Sequence, residues 1–261
     1  MEKSLDDIRV PNAGRVYDYV LGGHHNFEVD RRAAEYMISL LPSTRKWVRM
    51  LRRFLQEAVY QLADEGFEMF LDLGSGLPTA DHIHAIVPEA RVIYVDADPV
   101  VVSYSTEILG DETNARYIQA DIRDIETLLG SPLIKDMFGQ APKVAIGLNA
   151  MICFMTETET KAIVEALYGW SPPGSKIYCT FETKNPDLMT PDLEKFIAMF
   201  DQMGAYYHFS TLERSRELML PWMADERGFQ PLAEWLGVQD QLTAEDREGV
   251  ELEFYGAILV K

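Results

Sequence analysis

The chain has 261 residues, 47% of them apolar, enough to bury the core of one α/β domain with a modest extension. Its formal charge of −18 is uneven: residues 1–62 hold ten Lys and Arg against eight Asp and Glu, and the remainder holds 14 against 34. Phosphate backbones are bound mainly by clustered cations, so this charge disfavours a nucleic-acid substrate. The longest apolar run, Val144 to Met155, contains Asn149 and falls short of the roughly 20 residues that span a bilayer. Met1 to Asp7 lacks the apolar core of a signal peptide, and Cys153 and Cys179 form no paired-cysteine motif. A reduced, cytoplasmic protein with no membrane span is expected.

In chain order, residues 11–27 combine polar and aromatic side chains with a glycine pair. Tyr17, Gly22, Gly23, His24, His25, Asn26 and Phe27 either fold over a ligand crevice as a lid or simply pack on the domain through Val16, Tyr19, Val20 and Phe27. Arg15 can pair with a ligand carboxylate or bridge to the acidic sheet domain. From Arg45 to Leu62 the apolar residues Trp47, Leu51, Phe54, Leu55, Ala58 and Leu62 follow helical spacing. This leaves Arg45, Arg49, Arg52 and Arg53 largely on other faces, as a solvated or neutralising surface rather than a phosphate site.

Met69 to Leu73 reads as a buried strand, Gly74 and Gly76 as a turn, and Pro78 as the first residue of a helix. Arg91 to Val95 forms a second strand ending at Asp96, Asp98-Pro99 starts a helix that stops at Gly110, and Ala115 to Ala120 forms a third strand ending at Asp121. Lys143 to Leu148 and Lys176 to Phe181 follow as strands four and five, Phe229 to Leu236 as a sixth, and Glu251 to Val260 as an alternating antiparallel seventh. Between the fifth and sixth, residues 184–225 read as a helical, lid-like insertion. The expected organisation is an N-terminal helical lid over 1–62 and a sheet domain over 63–261.

Asp72, Asp96 and Asp121 recur at strand ends, 24 and 25 positions apart. Ligands of open parallel sheets sit outside the carboxyl ends of the strands, where an acid about 20 residues past the glycine turn accepts from ribose hydroxyls. Asp96 stands there. A dinucleotide site wants a small residue at the last position of Gly-x-Gly-x-x-Gly/Ala, and here that position is Thr79, which argues against a nicotinamide oxidoreductase. An adenosyl ligand without a pyrophosphate fits better, with Asp121 and Ile122 at the adenine edge. The pattern points to S-adenosylmethionine.

On Asp72-Leu73-Gly74-Ser75-Gly76, Asp96 and Asp121 the chain resembles the doubly wound S-adenosylmethionine-dependent methyltransferases. Residues 11–27 together with Gly76-Leu77-Pro78-Thr79 and Val95-Asp96-Ala97-Asp98-Pro99 narrow the resemblance to an actinobacterial-type group once known only as a domain of unknown function. His24 and His25 depart from that group's pattern. The resemblance implies an α/β, doubly wound Rossmann-like fold, with a mostly parallel seven-stranded sheet, an antiparallel last strand and an N-terminal helical lid. It also implies a cofactor site at Tyr17, Asn26, Asp72, Gly74, Ser75, Gly76, Asp96, Ala97, Asp121, Ile122 and Asn149. His24, Met151 and Phe154 are candidates to face a substrate.

Asn149-Ala150-Met151-Ile152 lacks the Asn/Asp-Pro-Pro-Tyr/Phe pattern of many base amino-methyltransferases, so a small-molecule methyl acceptor is expected. Glu182, Glu157 and His208 are general-base candidates by location alone. His82-x-His84 and His24-His25 look like ligand pairs, but residues at i and i+2 of a helix point apart and no third ligand completes a set, so no metal is expected. Gly74-Ser75-Gly76 is a turn rather than a nucleophile elbow. The other functional class compatible with these residues is a sensor that binds S-adenosylmethionine or S-adenosylhomocysteine without turnover.

Overall fold

The computed structural model describes residues 9–78, 81–139, 143–184, 187–244, 246 and 252–261. Five parallel strands, β1 (Met69–Leu73), β2 (Arg91–Asp96), β3 (Ala115–Gln119), β4 (Ala145–Leu148) and β5 (Lys176–Lys184), lie in the order β3-β2-β1-β4-β5. Three further strands complete the sheet: β6 (Met223–Ala224), β7 (Gln230–Pro231) and β8 (Leu252–Val260). β8 runs antiparallel along the whole of β5, and β6 and β7 both pair antiparallel with β8. The fold is the doubly wound, mostly parallel α/β sheet expected from the sequence, with eight strands among the described residues rather than seven.

The eighth strand is β6, Met223–Ala224, which falls in the stretch 184–225 expected to be helical, and the expected sixth strand differs too. Phe229 to Leu236 is not one strand but the two-residue β7 followed by a helical turn at Leu232–Trp235. Pro231 explains this, since it cannot donate to a ladder and its fixed φ suits a helix start. The helix expected from Pro78 also differs: Leu77 and Pro78 are buried but not helical, and the described helix is the single turn Ile83–Ile86, which is capped by His82 and followed by Pro88. Thr79, invoked against a dinucleotide, lies outside the described residues.

Helices α1 (Ala13–Leu21), α2 (Glu28–Leu40), α3 (Thr44–Asp64), α4 (Ile83–Ile86) and α5 (Pro99–Leu109) precede β3. α1 begins where the Asn12 side chain accepts from Arg15 N and ends at Gly22 in the left-handed region. α3 buries the predicted stripe, with Trp47 stacked on Phe254 of β8 at 4.4 Å between centroids and Phe54 edge-on to Trp235 at 5.0 Å. Alternation along β1 divides two cores: Phe70 joins the cluster under α1, α2 and α3, whereas Leu71 and Leu73 join Ile163, Val164 and Leu167 of the helix Glu157–Trp170. Asp72 therefore points to the side covered by the N-terminal helices. The strand order reverses between β1 and β4, the place where such sheets open a crevice.

Candidate functional site

A cavity of about 430 Å³ lies at that reversal, within the 300–1,000 Å³ typical of small-molecule sites. Its floor is the turn after β1. Gly74 and Gly76 have φ of +68° and +60°, and a Cβ at Gly74 would lie 2.1 Å from the Met151 sulfur, so only glycine fits. Gly76 N donates to Asp96 Oδ2 at 3.1 Å, and the Tyr117 hydroxyl donates to Gly76 O at 2.7 Å. Asp98 N donates to the other Asp96 oxygen at 2.9 Å. Burial pushes the Asp96 carboxyl up, against these backbone donors. α1 lies directly on the turn, since a Cβ on Gly14 would be 3.6 Å from Gly76 Cα.

The structure brings Tyr17, Asp72, Gly74, Ser75, Gly76 and Asp96 to this one cavity, together with Ala97, Asp121, Ile122 and Asn149. Met151 and Phe154 line it as well. Asp121 is half-exposed, and its carboxylate is held by Arg123, whose Nη2 donates at 2.7 Å. Asn26 and His24 do not line the cavity. Asn26 Nδ2 donates to Asp18 Oδ2 at 2.8 Å and to Gly23 O at 2.9 Å, so its side chain fastens the turn between α1 and α2, where His24 is exposed. Of the base candidates, Glu182 lines the cavity, whereas Glu157 is exposed and paired with Arg214 at 2.7 Å and His208 packs against Cys153 O. Met189 is 46% exposed.

Arg15 takes the bridging role. Its Nε donates to Asp30 Oδ2 at 2.9 Å and its Nη1 to Asp98 Oδ2 at 2.8 Å, which joins α1 to the cap of α5. Asp98 caps that helix through Val100 N at 2.7 Å, with Pro99 in the first turn and Gly110 at the end.

Arg52 is the residue that sequence reasoning placed wrongly. It is 7% exposed and lines the cavity, with its guanidinium 5.6 Å from the Tyr17 ring centroid. Its Nε and Nη1 have no hydrogen-bond partner among the described residues, and Asp81 Oδ1 lies 4.0 Å from Nη1. Two acceptors are in the same condition. Asp72 Oδ1 accepts from the Tyr178 hydroxyl at 3.2 Å, but Oδ2 is unbonded at 3.6 Å from His82 Nε2; Asn149 Oδ1 is likewise buried and unbonded. The His82 ring accepts from Ile83 N through Nδ1, and burial pushes its pKa well down, so it is neutral. Burial pushes the Asp72 carboxyl up to about 7, with Tyr178 and Arg52 pulling the other way. After Asn149 the chain passes through Ala150 at φ +54°, an unfavourable conformation for a non-glycine residue, held by its N–H to Thr180 Oγ1 at 2.7 Å.

Buried polar groups are nearly always bonded, and each orphan costs about 1–3 kcal/mol. Here orphaned donors on Arg52 and orphaned acceptors on Asp72 and Asn149 face one cavity, a set complementary to the carboxylate and ammonium of an amino acid. Tyr17 closes this end, its hydroxyl pushed up to about 12 by burial. Among the described residues no group of three His, Cys, Asp or Glu is arranged to hold a metal ion, and no helix is long and apolar enough to cross a membrane.

Comparison with known proteins agrees with this architecture. A candidate methyltransferase from Thermobifida fusca YX matches at a TM-score of 0.86 with 29% identity, over 98% of this chain and 96% of that one. A DUF574 family protein from Streptomyces avermitilis MA-4680 matches at 0.83 with 26% identity, over 98% and 99%. Magnesium protoporphyrin IX methyltransferase from Synechocystis PCC 6803, solved with bound S-adenosylhomocysteine, shares the fold at a TM-score of 0.53 with 9% identity, over 94% and 92%. A search of curated proteins finds no match. The model of the S-adenosyl methyltransferase family matches residues 1–261, and the chain belongs to that family.

Proposed function

We propose that this protein binds S-adenosylmethionine in the cavity and transfers its methyl group to a small-molecule acceptor. The observation that carries the reading is the meeting, in one cavity, of the Gly74 to Gly76 turn, Asp96 and the unbonded polar atoms of Arg52, Asp72 and Asn149. When bound, S-adenosylmethionine supplies an electrophilic methyl carbon on a sulfonium. Arg52 holds the carboxylate of its amino-acid end, and Asp72 Oδ2 and Asn149 Oδ1 accept from its ammonium. Asp96 accepts from the ribose hydroxyls, Ile122 packs against the adenine, and Asp121 stands at the adenine edge.

The residues of the chain then contribute position and enclosure. Effective molarity rises when reacting atoms are held about 3–3.5 Å apart in a site that excludes water. α1 on the glycine turn and Phe196, Phe200 and Tyr207 on the far side provide that enclosure, the N-terminal helices acting as one cover and residues 187–225 as the other. The acidic surface argues against a polyanionic acceptor.

Calorimetry with S-adenosylmethionine and S-adenosylhomocysteine, on the wild type beside Asp96→Ala, tests the reading. Binding that weakens at least about tenfold in a variant that still unfolds cooperatively is expected, because two charge-assisted acceptor sites are removed. Absence of binding to folded wild-type protein overturns it.

A further inference from the structure

Glu182 lines the cavity from β5, three strands from Asp96, and nothing in the cofactor assignment uses it. At roughly 4.8 Å per strand this is about 14 Å away, beyond the turn that holds the adenosyl end. Its neighbours are aromatic. The Phe200 and Tyr207 rings stack at 4.1 Å between centroids, and Phe154 and Phe196 meet both of them edge-on at 5.3–5.6 Å. All four line the cavity.

Within this wall the Tyr207 hydroxyl donates to Glu182 Oε2, and the Cys153 thiol is a second, weaker donor to the same carboxylate. The titratable groups acting on the carboxylate are Tyr207 from the segment after the helix Pro191–Gln202, Cys153 from the turn after β4 and, at longer range, Tyr17 of α1. None is a cation. Lys184, two residues further along β5, donates to Leu188 O, and Glu253 of β8 is paired in register with Thr183.

Resting on the methyltransferase reading above, we propose that the acceptor is a flat aryl hydroxyl compound seated against Phe154, Phe200 and Tyr207, and that Glu182 is the base that takes its proton. A carboxylate in an apolar wall without a counter-ion suits a neutral O–H donor and repels an anionic acceptor. Burial pushes the Glu182 carboxyl up to about 7, so that it is divided between its two forms near neutrality. A phenolic hydroxyl, at about 10, is near enough for general-base catalysis. In the transfer the aryl oxygen bonds to the methyl carbon as the methyl–sulfur bond breaks with its electron pair going to sulfur, while the hydroxyl proton passes to Glu182. The products are the thioether, an aryl methyl ether and a neutral carboxylic acid, which returns its proton to water once the ether leaves.

The test uses the whole chain loaded with S-adenosylhomocysteine and the probes 2-naphthol and 2-methoxynaphthalene, the second unable to donate a hydrogen bond. Wild-type protein is expected to prefer 2-naphthol, with a preference that grows between pH 6 and pH 8 as Glu182 ionises and stays flat with pH in Glu182→Gln. With S-adenosylmethionine, methylation of 2-naphthol is expected to lose its acidic limb near pH 7 in Glu182→Gln and to slow by about 10²–10⁴-fold, with S-adenosylhomocysteine affinity unchanged. Tyr207→Phe removes the donor to Glu182 and is expected to move the limb upward. A pH-independent preference, or Glu182→Gln turnover equal to wild type, overturns the proposal. So does tighter binding of 2-(aminomethyl)naphthalene than of 2-naphthol at pH 8, which would mark a cationic acceptor. Failure of S-adenosylhomocysteine to bind is a different result and overturns the cofactor reading instead.

Discussion

Arg15 of α1 reaches Asp98 at 2.8 Å, so the N-terminal helices are tied to the cap of α5, two residues beyond Asp96. The same guanidinium holds Asp30, which is 0% exposed and also accepts from Asn12 N and Phe27 N. One cation thus organises the ends of three helices around the glycine turn.

Arg15→Ala is expected to destabilise the protein by about 3–5 kcal/mol, because it leaves the Asp30 carboxylate buried without its cation. Urea unfolding measures the loss. Arg15→Lys is expected to recover only part of it, since an ammonium cannot present the planar fork that meets Asp30, Asp98 and Val10 O together.

Arg52 and Asp72 face the same cavity yet form no ion pair with each other at 4.0 Å or less. Arg52→Met is expected to weaken S-adenosylhomocysteine binding by about 10–150-fold, the equivalent of a charged hydrogen bond at about 1.5–3 kcal/mol. Arg53→Met, one residue along on the exposed face beside Glu57, is expected to leave it unchanged. Equal effects in the two variants would count against the role given to Arg52.

The difference between these two arginines also marks where the sequence stops being legible. Strands β1, β2 and β4 are readable because each is a short, mainly apolar run, and the acids Asp72 and Asp96 follow from the first two; β3 and β5 mix polar residues among their Ile, Tyr and Phe and are placed by spacing. Arg52 is hidden because the stripe of Trp47, Leu51, Phe54, Leu55, Ala58 and Leu62 leaves it on a neighbouring face. It sits in the row Val48, Arg52, Leu55 and Val59, whose other members are all buried, and that row was the available signal. Asn26 failed for the opposite reason: a polar residue after a glycine pair serves the turn as well as it serves a ligand. Pro231 was a visible warning against a sixth strand.

Gly147 makes room for the pair that anchors Asp72. A Cβ there would lie 2.2 Å from Asp72 Oδ1 and 2.4 Å from the Tyr178 hydroxyl. Gly147→Ala is expected to destabilise by about 1–3 kcal/mol through overpacking. Adding Tyr178→Phe removes one of the two oxygens in the way and releases Asp72 Oδ1 from its hydrogen bond, so the double variant should lose less than the sum of the singles. Strict additivity in urea unfolding would mean that the strain lies elsewhere.

Asp72 also gives stability a pH dependence of definite sign. Its folded carboxyl is raised from 3.8 to about 7, so between those values the folded state holds a proton that the unfolded chain has released. Stability contributed at this site therefore falls as pH rises from about 4 to about 7, then levels off, with a total on the order of a few kcal/mol. Asp121 and Glu65, lowered by Arg123 and Lys176 respectively, act in the opposite direction at lower pH, which makes the raw profile a sum. The variant Asp72→Asn isolates the term: relative to wild type it should be more stable at pH 8 than at pH 5. Urea unfolding at the two pH values decides it, because a difference between variant and wild type that does not change with pH would place the Asp72 carboxyl outside the 4–7 window.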